Sequence, residues 1–166
     1  MATFKNNPDE WQRLDWSILQ NGWTSLYWKK ETLETDLTWF KSENYSVVDF
    51  NCNTWTSENE MHKQLKSKLI FPDYYGGNWD ALNDCLSDLE ITDAGQIVVF
   101  RHLDNFDINR VHTLLDIFPR NARLQRLFEK RLIVLSQVDN PNYQIDQIGA
   151  TPVMWNGAEW LDSNRK

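Results

Sequence analysis

This 166-residue sequence predicts an α/β fold with a small, mainly parallel sheet flanked by helices, and three observations predict it. Short runs rich in β-branched and aromatic residues recur at 24–28, 45–50, 96–100 and 132–136. Segments with apolar residues at helical spacing alternate with them, at 30–42, 57–70, 79–89 and 106–131. The runs 96–100 (QIVVF) and 132–136 (LIVLS) are apolar without alternation, as in strands covered by helices on both faces. Strands that alternate with helices pair in parallel through right-handed crossovers, which place the helices on the sheet faces in two or three layers.

Each element has its own warrant. Residues 24–28 (TSLYW) alternate apolar and polar, the pattern of a half-buried strand. Leu33, Leu37 and Phe40 line one side of a helix over 30–42. This strand–helix unit lies ahead of the 45–50 strand and is expected to extend the sheet. Ser57-Glu58-Asn59-Glu60 fits a capping box that opens the 57–70 helix, whose stripe is Met61, Leu65 and Leu69 before Pro72. Gly76-Gly77 breaks the chain, and Asn78 is placed to cap a helix from 79 to about 89. In 106–131, the stripe Ile108, Val111, Leu115, Phe118, Leu124, Leu127 and Phe128 is helical, with Pro119 expected to split or kink it. The tail holds Pro141, Gly149, Pro152 and Gly157 and reads as loop plus a short strand or hairpin. The length suits one domain over 1–166, since domains average about 150 residues.

Composition excludes several classes. Hydrophobic residues at 41% with nine tryptophans exclude disorder, and no apolar run approaches the ~20 residues of a membrane span. Residues 1–8 lack a basic start and apolar run, and two cysteines, Cys52 and Cys85, form no disulfide framework or metal spacing. A cytoplasmic protein is the expectation. The net charge of −7 argues against general nucleic-acid or anionic-membrane binding. That charge is local: residues 69–100 hold six carboxylates and no Lys or Arg, whereas 101–131 carry a basic excess.

On a wheel at ~100° per residue, Trp79, Ala81, Leu82, Cys85, Leu86 and Leu89 share one side of the 79–89 helix. Asp80, Asn83, Asp84, Ser87 and Asp88 share the other. Carboxylates four apart repel, and Asp88 opposes the macrodipole at the helix end, so local stability does not account for them. Tyr74 and Tyr75 precede Gly76 and cannot both enter one core from a regular element. An exposed tyrosine beside acids on a glycine-shaped loop is suited to a protein interface.

The stretch Phe71-Pro72-Asp73-Tyr74-Tyr75-Gly76-Gly77-Asn78-Trp79-Asp80-Ala81-Leu82-Asn83-Asp84-Cys85-Leu86, with the preceding 60–70, closely resembles the barstar family of intracellular ribonuclease inhibitors. The signature is gapless and chemically idiosyncratic. The resemblance continues more loosely to about residue 137, leaving 1–44 and 138–166 as extensions. It implies a barstar-like fold, no catalytic, metal or cofactor site, and a cytoplasmic inhibitor or immunity protein. The expected partner is a secreted or toxin-domain ribonuclease held as a 1:1 heterodimer. It also implies a partner-binding face of Tyr74, Tyr75, Gly76, Asn78, Trp79, Asp80, Asn83, Asp84, Ser87 and Asp88. In the family, aspartates matching Asp80 and Asp84 enter the nuclease active site and engage its cationic groups.

Two departures bear on partner choice. Trp79 and Asn83 stand where barstar has a leucine and a tryptophan. The family's further interface acid on the last helix has no match among Leu124, Gln125 and Glu129, which Arg120, Arg123 and Arg126 surround. Alternatives are a barstar-like module for another basic protein, or an enzyme using the Asp80/Asp84 pair, which would need a deep pocket beside it. His62, His102 and His112 read as structural, and the remaining tryptophans as packing residues.

Overall fold

The computed structural model describes residues 6–149 and 151–165. In chain order they form α1 (Pro8–Trp11), α2 (Leu14–Gln20), β1 (Thr24–Tyr27), α3 (Lys30–Ser42) and β2 (Ser46–Asn51). Next come α4 (Glu58–Lys68), α5 (Trp79–Ser87), β3 (Gln96–Arg101), α6 (Ile108–Arg126) and β4 (Leu132–Gln137). The four strands make a wholly parallel sheet in the order β1-β4-β3-β2.

Strand alternation sorts the core into two faces. Ile97 and Val99 of β3 and Ile133 and Leu135 of β4 meet Ile18 and Leu19 of α2 and Leu33, Leu37 and Phe40 of α3. Their neighbours Val98, Phe100, Leu132 and Val134 meet Met61 and Leu65 of α4, Leu82 and Leu86 of α5, and Leu115 and Phe118 of α6. The result is three layers, and the N-terminal strand–helix unit supplies an edge strand and the cover of a whole face. No helix among the described residues is long and apolar enough to cross a membrane.

Five sequence expectations change. β1 is buried at all four positions rather than half-buried, because the C-terminal tail lies along its outer edge. Leu26 N–H donates to Met154 O at 2.8 Å, and Asn156 N–H donates to Leu26 O at 2.9 Å. The expected tail strand is therefore reduced to isolated bridges, Leu26 with Trp155 and Ile148 with Thr151. α6 runs through Pro119 as one 19-residue helix; the buried set Leu114, Leu115, Phe118, Ala122 and Gln125 straddles the proline, and this packing outweighs its cost of about 3 kcal/mol. The periodic stripe of α6 also fails at its ends, since Ile108, Leu124, Leu127 and Phe128 are exposed. Trp11 and Trp160 are likewise exposed rather than packed. At α4, Ser57 caps Glu60 N–H at 3.2 Å as expected, while the Glu60 carboxylate accepts from Gln64 at 3.3 Å.

Candidate protein-binding interface

The loop between α4 and α5 sets the site. α4 closes with Ile70 in the left-handed region at φ 56° and Phe71 N–H donating to Lys66 O at 3.0 Å, a Schellman-type ending that more often takes glycine. Tyr75 N–H then donates to Pro72 O at 3.0 Å. This turn sends the two tyrosines opposite ways.

Tyr75 is buried against Phe71, ring centroids 5.0 Å apart, with its hydroxyl 2.5 Å from His62 Nδ1. It was expected on the binding face; its burial instead makes it the anchor of the loop, because a phenol beside a buried imidazole gains both area and a hydrogen bond. Tyr74 is 80% exposed. Gly77 takes φ +64°, which favours glycine, and Gly76 leaves room for the Asn78 side chain, whose amide would lie 3.2 Å from an added Cβ. That side chain caps α5, accepting from Ala81 N–H at 2.8 Å.

On α5, Leu82, Cys85 and Leu86 are buried, and Trp79 is half-buried with its ring edge-on to His62 at 5.1 Å. Asp80, Asp84 and Asp88 are exposed along one stripe, and none has an ion-pair partner among the described residues. Asn83 and Ser87 are half-buried and leave that stripe. Asn83 Oδ1 accepts from Asn121 of α6 at 3.1 Å, and Ser87 Oγ donates to Asp84 O at 2.7 Å. Gln125 Nε2 of α6 donates to the carbonyls of Leu86 at 3.2 Å and Ser87 at 3.0 Å. The helix is thus fixed from beneath while its carboxylates stay free.

Burial, then Asp84 and Asp88, push the Cys85 thiol above its ordinary value. Cys85 and Cys52 are free and buried, which makes both neutral packing groups. Among the described residues no group of three or more His, Cys, Asp or Glu could hold a metal ion.

Two exposed apolar features near α5 were not anticipated from the sequence. Leu127 and Phe128, 77% and 70% exposed, with Leu124 beside them, form an apolar patch at the end of α6 next to the C-terminal end of α5. Their helical spacing had placed them in the core, and no local pattern distinguishes a stripe that overruns its partner helix. Ile70, 87% exposed, stood at the expected end of the α4 helix and gave no signal.

A wholly parallel sheet with an acidic helix and a tyrosine loop beside it defines a small α/β module. The model of the family described as Barstar (barnase inhibitor) matches residues 45–136, more than half of the chain, and the chain belongs to that family. A curated relative from Bacillus subtilis (strain 168), named "Putative ribonuclease inhibitor YrdF", is 60% identical over 35 residues. That match spans 19% of this chain and 38% of the relative, so this chain covers well under two thirds of it. One solved structure, titled "Structure of Drosophila ORC bound to AT-rich DNA and Cdc6", has a chain that overlays with a TM-score of 0.47. Its identity is 16% over 75% of this chain and 43% of that one.

Proposed function

We propose that this protein inhibits a ribonuclease by seating α5 and the Tyr74 loop in the enzyme's basic active site. The observation that carries the reading is the stripe Asp80, Asp84 and Asp88, exposed and without an ion-pair partner among the described residues, in a segment, 69–100, without a single Lys or Arg. Carboxylates on a rigid helix meet guanidinium and ammonium groups through short, charge-assisted bonds. They imitate the phosphates that such a cleft holds during RNA cleavage, and a concentrated negative face speeds encounter with it. Barnase–barstar is a standard case of such steering. The Barstar family match, which includes this helix, supports the same assignment. A 1:1 complex in the cytoplasm, with the role of an immunity protein or antitoxin, follows from this reading.

The exposed apolar patch of Leu124, Leu127 and Phe128, outside the acidic stripe, favours a second reading, a non-inhibitory module for a basic partner of another kind. Affinity capture from the native host, followed by RNA-cleavage assays on the captured protein, separates the two. Nuclease activity that falls on titration to a 1:1 ratio supports inhibition, with Asp84→Ala shifting the titration by thirtyfold or more, since truncating a buried interfacial charge costs about 2–5 kcal/mol. A captured partner without nuclease activity, or an Asp84→Ala variant that titrates like the wild type, refutes the inhibitory face.

A further inference from the structure

We propose that a groove flanking α5 receives an arginine side chain of the partner nuclease, separate from the cations that meet Asp80 and Asp84. This inference rests on the reading of the acidic face above and names what recognition that face adds. The groove has a volume of about 360 Å³ between the end of α4 and the end of α5. That is near the low end for ligand sites, and it suits one long side chain better than a cofactor.

Ile70, Tyr74 and Leu89 supply hydrocarbon and an aromatic face, and Asp88 and Glu90 supply two carboxylates. Ile70 and Tyr74 are among the most exposed large hydrophobic residues described, at 87% and 80%. They sit at the same opening, although water alone gives no reason to hold them there. Cys85, neutral in its buried position, completes the lining.

Among the described residues, no Lys or Arg lines this groove. Residues 69–100 contain none. Lys66, on the preceding helix, lies 3.7 Å from Asp73, and Lys130, from the loop before β4, lies 3.1 Å from Asp93. Asp88 and Glu90 have no ion-pair partner among the described residues.

An apolar channel with carboxylates and a free aromatic face is complementary to a long stem that carries a planar cation. Arginine fits better than lysine. Its guanidinium can lie on the Tyr74 ring and still direct two edges at carboxylates, whereas an ammonium is a compact, strongly hydrated point charge. The groove adjoins Asp84 and Asp88, so the arginine would come from the rim of the same basic cleft. A nuclease without it would bind through the Asp80 and Asp84 contacts alone, which makes the groove a determinant of specificity.

The test has two arms. In the first, the ¹⁵N-labelled full chain is titrated with acetyl-arginine amide, acetyl-lysine amide and acetyl-citrulline amide. Saturable shifts at the Ile70, Tyr74 and Leu89 amides that follow arginine, weaken with lysine and vanish with citrulline support the proposal. So does their loss in an Asp88→Asn/Glu90→Gln variant whose remaining amide spectrum is unchanged. Equal shifts with citrulline, equal shifts with lysine, or shifts only elsewhere overturn it. In the second arm, the same double variant and Ile70→Ser are measured against the captured nuclease, with a loss of about tenfold expected for each; wild-type affinity in both overturns the proposal. If Asp84→Ala leaves nuclease binding intact, the acidic-face reading fails, and the arginine titration still decides the groove.

Discussion

The Tyr75 hydroxyl and His62 Nδ1 lie 2.5 Å apart, and this bond ties the loop between α4 and α5 to α4. Burial pushes the Tyr75 phenol up, so it keeps its proton and donates to Nδ1. The imidazole proton then resides on Nε2, which lies 3.9 Å from a Glu58 carboxylate oxygen. Burial lowers the His62 pKa below its ordinary 6.5, against the opposing pull of Glu58.

The direction of the pH effect follows. As pH falls through 6.5 the unfolded chain takes up the proton before the native one, so the unfolding free energy drops. We expect a flat stability profile above neutrality and a decline below pH 6.5, at most about 1.4 kcal/mol per pH unit for one proton. Urea unfolding across pH 5–8 measures it, and His62→Gln should flatten that limb. An unchanged slope in the variant would place the linkage elsewhere.

Asp15 predicts how firmly the N-terminal unit is held. Its carboxylate is fully buried, accepts from Arg13 at 2.9 Å and from the Tyr45 hydroxyl at 2.6 Å, and lies 3.8 Å from Arg131. Burial alone would raise its pKa, yet the Arg13 and Tyr45 bonds prevail and hold it below 3.8. Its contribution is therefore present above that value and lost as pH falls through the folded pKa. Asp15→Asn should cost about 2 kcal/mol, because it removes the buried charge that Arg13 and the Tyr45 hydroxyl meet, while Arg13 keeps its pair with Glu43. A loss under 1 kcal/mol in denaturant titration would show that the N-terminal helices are held by apolar contact alone.

Much of this organisation is legible in the sequence where the signal is local. The periodicity of Leu33, Leu37 and Phe40 places α3 within its observed bounds, and Ser57 and Asn78 mark the starts of α4 and α5 through caps that need only the next three residues. The Asp80, Asp84 and Asp88 stripe follows from the 3.6-residue period. What was not legible depends on distant partners. α1 and α2 are too short to show a period. Tyr74 and Tyr75 are chemically identical, and only the Pro72 turn and His62 decide which is buried. Glu159 accepts from Trp28 and Lys29 N–H at 3.0 and 2.8 Å across 130 residues of chain, and nothing in the 138–166 composition announces a carboxylate at the start of α3.

Pro119 makes a prediction of its own. A proline inside α6 removes one helical hydrogen bond and crowds the preceding turn, and it persists because the flanking residues are packed. Pro119→Ala restores a backbone donor while losing some packing and some restriction of the unfolded chain. The net expectation is a gain of about 1 kcal/mol, seen as a higher melting temperature. A loss would mean that the pyrrolidine ring, which sits near Gly22 and Arg123, is needed for packing.

The acidic stripe costs stability by its own geometry, unequally along α5. Asp80 lies in the first turn, where the helix dipole favours it; Asp84 lies between two like charges; Asp88 is the C-cap, where both the dipole and Asp84 oppose it. Single replacements by asparagine should therefore raise the melting temperature for Asp88 and Asp84, by a few tenths of a kcal/mol each, and leave it unchanged or lower for Asp80. The same replacements should slow association with the proposed nuclease partner and make it less sensitive to salt, since exposed charges steer encounter over about a Debye length. Stability and binding thus move in opposite directions at Asp84 and Asp88. That is the mark of charges retained for a partner, since residues kept for the fold would lose stability when removed. Melting curves and stopped-flow rates at two ionic strengths test the pairing, and a variant that gains stability without losing association rate would exclude that position from the interface.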